Sequence, residues 1–79
     1  MVLRYSPTKG EIREVLGGLE EAMSLREVRE EIGRRQGINS KRVVANLVYK
    51  HLNSLCGQRI VGRVEDDSES VHPYKYYLL

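Results

Sequence analysis

The 79-residue chain predicts an α+β domain, three helices followed by a C-terminal β-hairpin. Three observations carry this. Apolar residues recur at helical spacing in successive stretches up to about residue 56, a capping motif and a glycine separate those stretches, and from residue 59 onward the pattern changes to two runs of strand formers around a polar connector.

Two starts are open for the first helix, expected over about 7–22. Ser6-Pro7 suits a first turn, because proline is tolerated there, and Thr8 with Glu11 offers a capping box. Ile12, Val15, Leu16, Leu19, Ala22 and Met23 recur on one face, and Glu11, Arg13, Glu14, Glu20 and Glu21 lie on the other. Gly17-Gly18 either weakens the middle of this helix or marks a close packing contact.

Ser24-Leu25-Arg26-Glu27 is a second capping box and opens a helix over about 25–36, with Leu25, Val28 and Ile32 as its apolar stripe. Gly37 suits a left-handed terminator, and Ile38 suits a core plug in the turn that follows. A third helix is expected over about 40–56, capped by Asn39 or Ser40. Its inward face is Val44, Leu47, Val48, His51, Leu52 and Leu55, or a slightly rotated set that includes Val43. Under either choice Arg42, Ala45, Asn46 and Tyr49 face outward, with Lys50 and Asn53 beside them. Gly57 is the expected helix end. Strand formers at 59–64 and 74–79 then make a hairpin over about 59–79, with Pro73 at the start of its second strand, where a missing amide costs least.

A single domain over 1–79 is expected, which at this size buries only about 60% of its unfolded surface and keeps a small core. With Cys56 alone, neither an intrachain disulfide nor a cysteine pair for zinc is available, so the fold rests on apolar packing. No run approaches the ~20 apolar residues of a membrane helix, and no targeting or lipidation signal is visible, so a cytoplasmic, DNA-associated location and no membrane partner are expected.

Charge is the main functional clue. The formal net charge of +2 conceals a middle segment, 32–64, with Arg34, Arg35, Lys41, Arg42, Lys50, Arg59 and Arg63 and no acidic residue. Such a distribution is an electrostatic footprint for nucleic-acid phosphates, although cations on helices are also a common solubilising surface. The connector Glu65-Asp66-Asp67-Ser68-Glu69 has the opposite sign; it suits a solvated loop or a basic partner, and DNA should repel it.

The residues from Ser24-Leu25-Arg26-Glu27-Val28 through Gly37-Ile38-Asn39-Ser40, then Leu52-Asn53-Ser54-Leu55-Cys56-Gly57-Gln58-Arg59-Ile60-Val61 and Tyr74-Lys75-Tyr76-Tyr77-Leu78, resemble winged helix-turn-helix DNA-binding domains over nearly the whole chain. The chain is similar to small regulators of archaea and archaeal viruses. The resemblance implies that the 40–56 helix enters the major groove, with Arg42, Ala45, Asn46 and Tyr49 at base edges. It also implies phosphate contacts from Arg34, Arg35, Ser40, Lys41, Lys50, Asn53, Arg59, Arg63 and Lys75. The chemistry suits the roles: an arginine can pair with guanine through two hydrogen bonds, and an asparagine with adenine. The acidic connector departs from the family's usual basic wing.

A sequence-specific double-stranded DNA-binding protein acting in transcription regulation is therefore the expected function. RNA polymerase or another transcription protein is a candidate partner. So is a second copy, held through Val2-Leu3-Arg4-Tyr5 and the first helix. Two alternatives are a protein-interaction module on the same fold and a sequence-indifferent nucleic-acid binder. No catalytic set, cofactor or metal site is expected: nucleophile elbow, phosphate-binding glycine loop and metal-ligand spacing are all missing from the sequence, and His51 suits a packing role. Tyr74, Tyr76 and Tyr77 suit packing of the hairpin on the helices or a dimer contact rather than base stacking, and Cys56 suits a small buried apolar residue.

Overall fold

Thr8, not Pro7, opens the first helix in the computed structural model, which describes residues 4–18, 21–66 and 73–79. The Thr8 hydroxyl accepts from the Glu11 amide (3.2 Å) and caps α1 (Lys9–Gly17). Only half of a capping box forms, because both Glu11 carboxylate oxygens are held elsewhere: Tyr5 Oη and Gln36 Nε2 each donate to one at 2.7 Å. Ile12, Val15 and Leu16 are buried. The helix ends at the glycine pair, where the Gly18 amide donates to the Glu14 carbonyl, well short of the expected 22. Two glycines in succession remove the helical preference that would carry the chain further. Leu19 and Glu20 of the expected helix lie outside the described residues.

Met23 is consequently not a helix residue. It forms β1 (Met23–Ser24), which pairs antiparallel with the last strand, Met23 opposite Tyr76 and Ser24 opposite Lys75. Ser24 also caps α2 (Leu25–Gln36): its hydroxyl accepts from the Glu27 amide (3.2 Å) and its amide donates to the Glu27 carboxylate (3.0 Å). Gly37 ends α2 with φ 67°, and the Ile38 amide donates back to the Gly33 carbonyl (2.9 Å), which turns the partly buried Ile38 into the core. Gly33, inside α2, lets the turn approach closely: a β-carbon there would lie 3.1 Å from Ser40 Cα and 3.0 Å from the Ile38 carbonyl oxygen.

The expected helix over 40–56 is two pieces. Asn39 caps a 3₁₀ turn, Ser40–Arg42; Val43 and Val44 are extended, and α3 spans Ala45–Gly57. The break is a tertiary effect. Tyr5 and Val43 form a parallel bridge, in which the Tyr5 amide donates to the Arg42 carbonyl (2.8 Å) and the Val44 amide to the Tyr5 carbonyl (3.0 Å). Two adjacent β-branched residues lose side-chain freedom in a helix and favour an extended backbone, so local preference and the strap of residues before α1 agree. Val43 is fully buried, as are Val48, Leu52 and Leu55 of α3.

The exit of α3 also differs from expectation. Gly57 is its last residue, and Arg59 takes the left-handed position, φ 59°. The Arg59 and Ile60 amides donate to the Cys56 and Leu55 carbonyls at 3.0 Å each, the same reverse turn that ends α2 but with an arginine where glycine is favoured. β2 (Val61–Glu65) and β3 (Tyr74–Leu78) then pair antiparallel, Val61 opposite Leu78 through Glu65 opposite Tyr74. The sheet order is β1-β3-β2. The described chain is thus an α+β fold of three α-helices and a small antiparallel sheet, with one core formed by α1, α2, α3, Met23, Val61 and Tyr76. No helix among the described residues is long and apolar enough to cross a membrane.

Candidate nucleic-acid interface

The start of α3 has no side-chain cap: Val44 occupies the cap position and makes no such hydrogen bond. Apart from contacts the turn makes, the first amides of this helix are donors without an intrahelical acceptor, and the helix dipole adds partial positive charge there. Around this end lies an open depression of about 190 Å³ lined by Arg4, Arg29, Lys41, Val43, Val44, Ala45 and Asn46. Cationic side chains and a helix N-terminus in one hollow form a setting that attracts an anion such as phosphate.

Arg29 braces this setting. Its Nε donates to the Val43 carbonyl (2.8 Å) and its Nη2 to the Lys41 carbonyl (3.0 Å), so a side chain from the middle of α2 holds both the 3₁₀ turn and the extended break that follows it. Neither Arg29 nor Arg4 stands out in the sequence. Arg29 sits in a charged helix face like its neighbours, and the only hint is that it has the helical phase of Ile32 rather than that of Glu30.

The outward residues of α3 lie as the periodicity expects, with one exception. Asn46, Tyr49, Lys50 and Asn53 are exposed, while Ala45 is half-buried on the floor of the depression. Arg42, Lys41 and Ser40 are on the 3₁₀ turn rather than on the helix; Arg42 and Lys41 are exposed, and Ser40 is half-buried against Gly33. Arg42 therefore stands at the entrance to α3.

The hairpin cations divide. Arg63 is on the helix-facing side of the sheet, with its guanidinium over the Tyr74 ring, 4.4 Å from the centroid. It also bears on Tyr76: burial pushes that phenol above its ordinary pKa, and the nearby Arg63 charge works against the rise. Tyr49 of α3 adds a smaller upward push on the same phenol. Lys75 is on the opposite side of the sheet, because it neighbours Tyr76 in the strand. Its ammonium lies 3.0 Å from Asp66 and 4.0 Å from Glu27, and the Asp66 hydrogen bond and charge raise its pKa. The structure thus brings Arg4, Lys41 and Asn46 around the start of α3, with Arg42 exposed on the preceding turn and Tyr49 one turn further along the helix, and it puts Arg63 and Lys75 on opposite faces of the hairpin. No family model, curated protein or solved structure matches this chain.

Arg34 and Arg35, at the end of α2, both engage Glu31 (3.0 and 3.3 Å). Arg34 remains the more accessible, its side chain 79% exposed against 39% for Arg35. Arg59 is exposed at its left-handed turn. The tyrosines serve three purposes: Tyr76 is fully buried, Tyr74 packs against the core beneath Arg63, and the Tyr77 ring lies over Gly62 on the outer face. Cys56 and His51 are half-buried on α3, and burial raises the Cys56 thiol pKa against the lowering effect of Arg63. Of the acidic connector, Asp66 pairs with Lys75 and Glu65 ends β2, whereas Asp67, Ser68 and Glu69 lie outside the described residues.

Proposed function

We propose that this protein is a winged helix-turn-helix domain that binds double-stranded DNA sequence-specifically and regulates transcription by occupying its site. The observation that carries the reading is the uncapped start of α3 inside a cationic hollow, continuous with an exposed helix face of groove-reading chemistry. In this reading α2 and α3 are the two helices of the motif, with the turn braced by Arg29 between them. The α3 amides, Arg4 and Lys41 fix a phosphate at the groove edge. Asn46 and Tyr49 then face base edges, with Arg42 reaching in from the turn, while Lys50 and Asn53 follow the backbone. Arg63 holds the neighbouring strand from the hairpin, and Arg59, Arg34 and Arg35 add more distant charge. Lys75, tied to Asp66 on the other side of the sheet, contributes to the hairpin rather than to DNA.

Selection of bound duplexes from a random library at physiological salt, beside an Arg42→Ala, Asn46→Ala variant, tests this. An enriched motif that the variant loses supports sequence reading from the start of α3. Recovery without enrichment would show sequence-indifferent binding, and no recovery would favour a protein-interaction module.

A further inference from the structure

Of the expected contact for a second copy, Val2 and Leu3 lie outside the described residues, Ile12, Val15 and Leu16 of α1 are buried in the chain's own core, and Tyr5 is bridged to Val43. The sheet offers another surface. β2 is an edge strand, since β3 is its neighbour on one side and no described strand pairs with the other. Its hydrogen-bonding phase follows from the bonds at its two ends. The Leu79 amide donates to the Ile60 carbonyl (2.9 Å) and the Asp66 amide to the Pro73 carbonyl (2.8 Å). Bonded pairs alternate in an antiparallel ladder, so Gly62 and Val64 direct their backbone groups at β3, and Val61, Arg63 and Glu65 direct theirs outward. These outward positions contain no proline, and their two charges, Arg63 and Glu65, are of opposite sign, so they do not repel a second copy as a like-charged edge would.

Charge runs along this edge from basic to acidic. Arg59 and Arg63 precede Glu65 and Asp66, so an antiparallel copy of the same strand meets it with opposite sign at each end. Three registers pair at least three residues of each β2 with side chains on matching faces. Centred on Arg63, the two guanidinium groups oppose each other. Centred on Gly62, Arg63 meets Val61, and Glu65 falls opposite Arg59, which is outside the strand at its left-handed turn. Centred on Val64, Arg63 of each copy lies opposite Glu65 of the other, in the positions whose backbone groups point outward. Val64, 45% exposed in the single chain, then meets Val64 of the second copy at a position where side chains approach closely.

We propose that the β2 edge is a self-association surface, pairing antiparallel with β2 of a second copy about Val64 through reciprocal Arg63–Glu65 pairs. The result is a continuous sheet, β1-β3-β2-β2-β3-β1. Its two-fold axis is perpendicular to the sheet, so both α3 helices lie on the same side. The proposal does not rest on the DNA reading, although Arg63 serves in both, and its test contains no DNA.

The test is sedimentation velocity of the native chain, Arg63→Glu, Glu65→Arg and an equimolar mixture of the two variants, at low salt and concentrations up to about 1 mM. Circular dichroism on each variant confirms folding. The native chain is expected to move from 9.1 kDa toward twice that mass as concentration rises. Each reversal alone opposes like charges at both pairs and weakens association by about tenfold or more. In the mixture every pair is again opposite in sign, so a mixed dimer forms within about threefold of native affinity. A native chain that remains monomeric throughout, variants that associate as the native chain does, or folded variants that fail to complement each other would overturn the proposal.

Discussion

The two long helices begin in opposite ways. α2 is closed by a reciprocal capping box from Ser24 and Glu27, whereas α3 starts at Val44 with no side-chain cap and has Arg4, Arg29 and Lys41 around it. A closed end stabilises the helix and offers little to a ligand; an open end ringed with cations gives up a cap worth about 1 kcal/mol and keeps its amides for an external acceptor. The helix whose outward face contains Asn46 and Tyr49 is the one with the open end. In the proposed reading, the contrast puts binding at α3 and stability at α2.

Reversing the charges at the open end should have the largest effect. Lys41→Glu with Arg42→Glu is expected to lower duplex affinity about 100-fold at moderate salt and, through the lost Lys41 phosphate contact, to reduce the log–log salt slope by about 0.9, measured by fluorescence anisotropy. Both side chains are exposed, so the unfolding midpoint should remain close to native. Equal affinity would move the interface elsewhere. Arg29→Met comes next, because it leaves the Val43 and Lys41 carbonyls without their charged donor; a loss of about 2 kcal/mol in urea unfolding is expected. An unchanged midpoint would mean that the brace is dispensable. At the closed end, Ser24→Ala should cost about 1 kcal/mol of stability and leave DNA affinity unchanged, the inverse of the result at Lys41 and Arg42. The smallest effect is expected at Arg59→Gly, which relieves a left-handed arginine and should stabilise by about 0.5 to 1 kcal/mol, read as a higher melting temperature. A decrease would show that the Arg59 side chain contributes more than its backbone strain costs.

Features written in local chemistry were legible in the sequence. The Ser24–Glu27 box, the Gly37 terminator, Ile38 as a plug and a hairpin of two strands, expected at 59–64 and 74–79 and found at 61–65 and 74–78, each follow from neighbouring residues, and all are present. Those set by distant partners were not. Met23 fits the helical spacing of α1, and a two-residue strand is too short to show alternation; only β3 alongside makes it β1. Val43 and Val44 fit a helix until Tyr5 bridges to them, so the third helix starts at Ala45 rather than at 40. The site follows the same rule. Asn46, Tyr49, Lys50 and Asn53 were readable as an exposed helical face, but the Arg29 brace and the position of Arg4 depend on how α2, the strap and the turn meet. Lys75 shows the converse: a strand cation suited to phosphate is committed to Asp66 through a contact that periodicity does not reveal.

The contrast between the two helix starts can be read in one experiment, amide chemical-shift mapping of the isotope-labelled protein during titration with duplex DNA at low salt. If DNA binds at the open end, the amides of Ala45, Asn46 and Leu47 should shift saturably together with those of Lys41 and Arg42, while Leu25, Arg26 and Glu27 at the capped end stay in place. Saturable shifts centred on 25–27, or none on α3, would contradict an interface built on the third helix.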